Sequence, residues 1–179
     1  INRNLYYFAG KDVWKTLFDL EAMRPGMVLL SAQAPDGDPA WCDVVTLMTP
    51  VATRPWEAWE GSAPGRRPEA YTALKAAMTQ ATVDFACARL PELRDAIAHT
   101  YAATPLTYRH YTGAPHGAAY GLLKDWRSIM ASHIPARTKF DNLLLTGQNL
   151  TVHGAIGVTL SAAATCSEIV GTEYLAKKI

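Results

Sequence analysis

Residues Met27 to Met48 read MVLLSAQAPDGDPAWCDVVTLM. Two apolar, partly β-branched runs, MVLLSAQ and CDVVTLM, flank a joint carrying Pro35, the Asp36-Gly37 pair and Pro39. Proline cannot donate to a strand ladder, and Asp-Gly accepts the backbone conformations that tight turns demand. The stretch predicts an antiparallel hairpin with strands at Met27–Gln33 and Cys42–Met48. Working outward, the aromatic run Leu5-Tyr6-Tyr7-Phe8, closed by Ala9-Gly10, predicts another short strand. Asp12 then caps a helix whose Val13, Leu17 and Leu20 fall at i, i+4 and i+7, before the break at Arg24-Pro25-Gly26.

Downstream, Pro50, Pro55, Pro64 and Pro68 interrupt a turn-rich segment in which Trp56, Trp59 and Glu60 fit one helical turn. The longest helical pattern runs from Glu69 to Leu90, with Tyr71, Leu74, Met78, Ala81 and Phe85 on one face. Pro91 ends it and starts a short helix, PELRDAIAHTY. Thr104 to Gly121 reads TPLTYRHYTGAPHGAAYG; its two prolines and three glycines predict strand or ordered loop, the lid or wall of a site. A strand at Leu143–Thr146, a glycine-containing loop and a closing helix from Val158 to Ala176 complete the chain. Helices and strands do not alternate, so the class expected is α+β, an antiparallel (mixed) sheet with flanking helices. The expected division is 1–140 and 141–179.

Composition excludes several classes. The 179 residues are 49% hydrophobic and 18% charged, which excludes a disordered chain. A chain of this size buries about 70% of its unfolded surface. No apolar run approaches the roughly 18 residues of a membrane span. Lys+Arg 17 against Asp+Glu 16 gives +1, and the only basic clusters are Arg66-Arg67 and Lys177-Lys178, so nucleic acid is not an expected partner. Cys42, Cys87 and Cys166 form no CxxC and read as buried free thiols. The five histidines never fall at i, i+4 on a predicted helix, so no metal is expected. The carboxylate pairs Glu57/Glu60 and Glu92/Asp95 read as solvated helix faces. There is no GxGxxG, GxxxxGK[ST], GxSxG or HExxH.

Two constellations remain. In LLLTGQNLTVHGAIGVTLSAAATCSEIV, a strand runs into Gly147, then a loop with His153, Gly154 and Gly157, then a helix. A helix N-terminus presents unpaired amides with partial positive charge, and glycines let a flat or anionic ligand approach them. An ordinary strand–turn–helix junction explains the same glycines, and spacing leaves both readings open. In the second constellation, Tyr108, Arg109, His110, Tyr111 and Tyr120 place rings and a cation along a glycine-punctuated stretch. They line a substrate tunnel or are core tyrosines with one partnered arginine.

Together, TPLTYRHYTGAPHGAAYGLLKD and NLLLTGQNLTVHGAIGVTLSAAATCSEIVG resemble the C-terminal part of the phytoene desaturase, carotenoid isomerase and retinol saturase family, FAD-dependent oxidoreductases of the amine-oxidase-like superfamily. RPGMVLLSAQAPDGDPAWCDVVTLMTP is similar to that family's substrate-domain hairpin. The resemblance implies a fragment: a substrate-binding domain at 1–140, and at 141–179 a strand–loop–helix that faces the flavin and completes an FAD-binding domain. The N-terminal GxGxxG unit of that domain is absent from this sequence, and the chain begins INRNLYYFAG, without Met. By matching position, Gly147, Gln148, Gly154, Gly157 and Val158 are the implied flavin neighbours. Tyr108, Arg109, Tyr111 and His153 are the implied substrate-lining residues, with no catalytic acid or base assigned. The implied parent uses FAD to act on a C–C or C=C bond of an apolar, isoprenoid-like substrate. The fragment alone is expected to be inactive and not to bind FAD. Its implied partners are the missing N-terminal domain, the apolar substrate and, through the exposed domain interface, a second copy. The implied location is cytoplasmic or peripheral to a membrane. The alternative of another class is a stand-alone module that binds a hydrophobic small molecule without redox activity.

Overall fold

Strand β1 (Leu5–Phe8) pairs antiparallel with β2 (Met27–Gln33), and β2 pairs antiparallel with β3 (Val44–Met48), giving the sheet order β1-β2-β3. The computed structural model describes residues 4–18, 24–34 and 42–178. Leu5 sits opposite Leu30, and Leu30 opposite Leu47. Alternate residues of a strand share a face, and the two fully buried residues of β2, Val28 and Leu30, obey that period. The hairpin strands thus stand where the sequence puts them, with β3 starting at Val44. The joint with Pro35, Asp36-Gly37 and Pro39 lies outside the described residues, as does Leu20. Helix α1 is described over Val13–Phe18, and Asp12 Oδ1 caps it by accepting from the Lys15 amide at 3.0 Å.

Helix α2 (Glu69–Cys87) packs on β2 and β3, and its C-terminal Ala86 and Cys87 are buried. Arg89, just beyond, lies 3.5 Å over the Phe85 ring and reaches the Phe8 carbonyl at 3.4 Å. The other end of α2 builds a second core from Trp56, Tyr71, Met78 and Leu106. Trp56 and Trp59 sit on a 3₁₀ turn over Arg54–Trp59 and meet the Tyr71 ring edge-to-face at 5.6 and 5.7 Å. A short helix, α3 (Leu93–Ala96), follows.

The stretch expected to be strand or loop from Thr104 is instead helix α4 (Pro105–Thr112). The helix breakers stand at its ends. Pro105 occupies the first turn, where its missing N–H is not needed, and Gly113 ends the helix at φ 70°. Thr104 and Thr107 form a reciprocal capping box, with the Thr104 amide donating to Thr107 Oγ1 at 3.1 Å. Thr104 is itself 5% exposed, and its hydroxyl meets the Tyr71 hydroxyl at 2.8 Å.

The chain divides into two compact units, Ile1–Gly117 and Ala118–Ile179. The boundary expected after residue 140 falls inside the second. That unit holds α5 (Ile129–Ser132), α6 (Gly154–Val170) and α7 (Thr172–Ala176). Two expectations are corrected there. Leu143–Thr146 is no strand: Leu144 makes one isolated bridge to Arg137, and Leu145 donates to the Ala136 carbonyl at 2.8 Å. The closing helix starts at Gly154, not Val158, and breaks at Gly171. Cys42 and Cys166 are exposed, so only Cys87 is the buried thiol expected of all three. Among the described residues no helix is long and apolar enough to cross a membrane.

Replacing Thr104 by Val removes a helix cap and takes from the buried Tyr71 hydroxyl one of its two partners, Arg67 remaining, at a cost of about 1–3 kcal/mol. The urea midpoint should fall accordingly, and Thr104→Ser should restore most of it. Equal midpoints for Thr104→Val and the parent would show that the Thr104–Tyr71 contact carries no stability.

Candidate functional site

Helix α6 begins where His153 holds an extended backbone (φ −87°, ψ 172°), and no side chain caps it. Its first turn contains no acidic residue. The first amides of a helix have no intrahelical acceptor, so this end carries unneutralised partial positive charge. Gly154 adopts φ 77° with open space where a side chain would stand. Gly157 is different: a β-carbon there would collide with the Val152 carbonyl. Gly157 therefore lets α6 lie against its own approach segment. One turn on, Ser161 is completely buried and its hydroxyl lacks a partner. Thr165 Oγ1 then donates to the Leu145 carbonyl at 2.7 Å, and Glu168 pairs with Arg137 at 2.6 Å. Ile156 and Leu160, at i and i+4, remain 77% and 54% exposed.

The approach segment is tied down by two groups. Leu122 donates its amide to Asn149 Oδ1 at 2.7 Å. The Lys124 ammonium donates to the carbonyls of Ser132, Asn149 and Leu150 at 2.5, 2.6 and 3.0 Å. An ammonium has three donors, and all are used. Next to it, the Arg127 guanidinium holds the Asp125 carboxyl below its ordinary range through side-chain and backbone hydrogen bonds. His153 lies with its ring 5.8 Å from that of Tyr120, tilted by 32°, and its buried Nδ1 has no partner.

The implied flavin neighbours thus share one segment: Gly147 and Gln148 in the turn, Gly154, Gly157 and Val158 in the first turns of α6. The implied substrate residues do not form one described cluster. Tyr108, Arg109 and Tyr111 ride on α4 in the first unit, and His153 belongs to the second. Arg109 pairs with Glu60 at 2.5 Å, the partnered arginine of the plainer reading. Tyr111 is 76% exposed, edge-on to His110 at 4.8 Å. Lys124 leaves no signal in the sequence, because a carbonyl clamp has no side-chain partner to form a motif with. Among the described residues no cluster of three His, Cys, Asp or Glu could hold a metal.

These features can be set beside known proteins. The chain is similar to all-trans-retinol 13,14-reductases. It is 30% identical to the Homo sapiens protein over 143 residues, 74% of this chain and 23% of that protein. Identity to the Rattus norvegicus protein is 31% over the same length and the same shares. An inactive all-trans-retinol 13,14-reductase of Danio rerio is 29% identical over 115 residues, 63% of this chain and 19% of that protein. The chain thus spans about a quarter of the length of the curated relatives it matches. No protein-family model matches it, and no solved structure matches it significantly.

Lys124→Met removes three charge-assisted bonds and leaves the Leu150 carbonyl held by the Ile134 amide alone, at a cost of about 1.5–3 kcal/mol. Amide exchange at Leu122, Ile134 and Leu150 should accelerate while exchange in α2 stays unchanged. Unaltered exchange at those three amides would refute the clamp.

Proposed function

We propose that this chain is the substrate domain and closing flavin-facing element of an FAD-dependent oxidoreductase acting on a C–C or C=C bond of an apolar, retinol-like isoprenoid. The observation that carries this reading is the similarity along 74% of the chain to all-trans-retinol 13,14-reductases. The residues at the start of α6 fit a flavin. Its first turn has free amides, no acid and open space at Gly154, with the unpartnered His153 Nδ1 beside it. Gly147, Gln148, Gly154 and Val158 would border the pyrimidine edge, and Gly157 serves by keeping the approach segment close. Bound FAD would supply the exchange of a hydride or electron pair with the substrate carbon bond.

The chain's own part is binding and electrostatics. The amides of α6 favour negative charge on whatever stands before them, and Lys124 fixes the segment that aims them. Tyr108, Arg109 and Tyr111 on α4, and separately His153 before α6, are the candidate substrate contacts that the resemblance supplies, with Arg109 held by Glu60. The remaining partner is an N-terminal dinucleotide-binding unit of the same polypeptide. A substrate of this class partitions into lipid, which favours work at a membrane surface facing the cytoplasm.

The test uses the full-length protein, which should purify with flavin absorbance that bleaches on reduction. Ile156→Asp puts a carboxylate in the first turn of α6, which stabilises the helix but opposes negative charge on the flavin. The midpoint potential should fall by about 10–20 mV. Absence of flavin, or a potential unchanged by Ile156→Asp, would contradict the proposal.

A further inference from the structure

Between the start of α2 and the exposed side of α4, the first unit contains an open cleft of about 340 Å³. Two cations line it, Arg67 and Lys75, and no carboxylate does. Arg67 is fixed from three sides. Its guanidinium lies 4.6 Å over the Tyr71 ring, one terminal nitrogen donates to the Tyr71 hydroxyl, and the other donates to the Leu106 carbonyl at 3.2 Å. Its Nε is buried and has no acceptor. That buried Nε does not face the cleft, but each terminal nitrogen carries two hydrogens and spends one on Tyr71 or Leu106, so the guanidinium keeps donors for an acceptor that enters.

Lys75 stands one helical turn beyond Tyr71, and among the described residues no carboxylate pairs with it. Thr72 on α2, and Thr107 and Tyr111 one turn apart on α4, add three hydroxyls to the lining. Pro64, Ala102 and the Tyr111 ring supply apolar surface. The volume is at the lower end of small-molecule sites, about 300–1,000 Å³, and exceeds what a bare oxyanion needs.

We propose that this cleft binds an oxyanion carried on a small apolar body, a carboxylate or a phosphate monoester, with Arg67 and Lys75 on the charge. Arg67 is pre-positioned, so little ordering is required on binding, and Lys75 adds a mobile second charge. None of this depends on the flavin-facing reading of α6, and failure of either leaves the other standing.

The experiment is calorimetric titration of the full chain with octanoate, octyl phosphate, octanol and inorganic phosphate. At least one of the two octyl anions should saturate, more tightly than octanol and than phosphate alone, and the tighter one identifies the head group. Lys75→Gln should weaken that anion about tenfold, as expected for one charge-assisted hydrogen bond, while Lys75→Arg retains it. Octanol binding as tightly as both anions, saturation by none of the four, or Lys75→Gln leaving the affinity unchanged would each overturn the proposal.

Discussion

A helix can lie against its own approach segment only if the residue at the crossing has no side chain. At Gly157 the Val152 carbonyl occupies the space a β-carbon would need. This contact sets the angle at which the chain enters α6, and with it the direction of the free amides from Gly154 onward. The rest of the second unit reinforces that geometry. Lys124 gathers three carbonyls from the approach segment and α5, Asn149 receives the Leu122 amide, and Thr165 and Glu168 tie the helix to residues 137–145. These contacts hold α6 to its approach segment at one end and to residues 137–145 further along.

The first unit is organised around a different node. Tyr71 carries two tryptophan contacts on its ring and joins Arg67 to Thr104 through its hydroxyl. One buried phenol thus links the proline-rich segment, α2 and the cap of α4. Buried polar groups that are satisfied specify one arrangement, because any other leaves them unpaired. The node holds α4 in place and keeps Arg67 rigid.

Much of this was legible in the sequence. Met27–Gln33 matched to the residue because turn chemistry and alternating burial point the same way. Helix α4 is not legible from composition, because its prolines and glycines act by place and not by number. Thr104, Pro105 and Gly113 are a cap, a first-turn residue and a terminator. Leu143–Thr146 is apolar enough for a strand, but strand pairing is non-local and only the Arg137–Leu144 bridge forms. At the candidate site, the resemblance implies Gly147, Gln148, Gly154, Gly157 and Val158 as flavin neighbours, all in one segment. Spacing could not separate open space at Gly154 from a close backbone crossing at Gly157. Lys124 was invisible, since its acceptors are main-chain carbonyls that any sequence provides.

The proposal that the uncapped, acid-free start of α6 faces a flavin draws support from the similarity to all-trans-retinol 13,14-reductases. Hydrogen–deuterium exchange on the full-length protein, with flavin bound and after its removal, tests that account most directly. Exchange of the Ala155 and Ile156 amides should slow markedly when flavin is bound, while amides in the middle of α2 do not change. Equal exchange at Ala155 and Ile156 in the two states would contradict it.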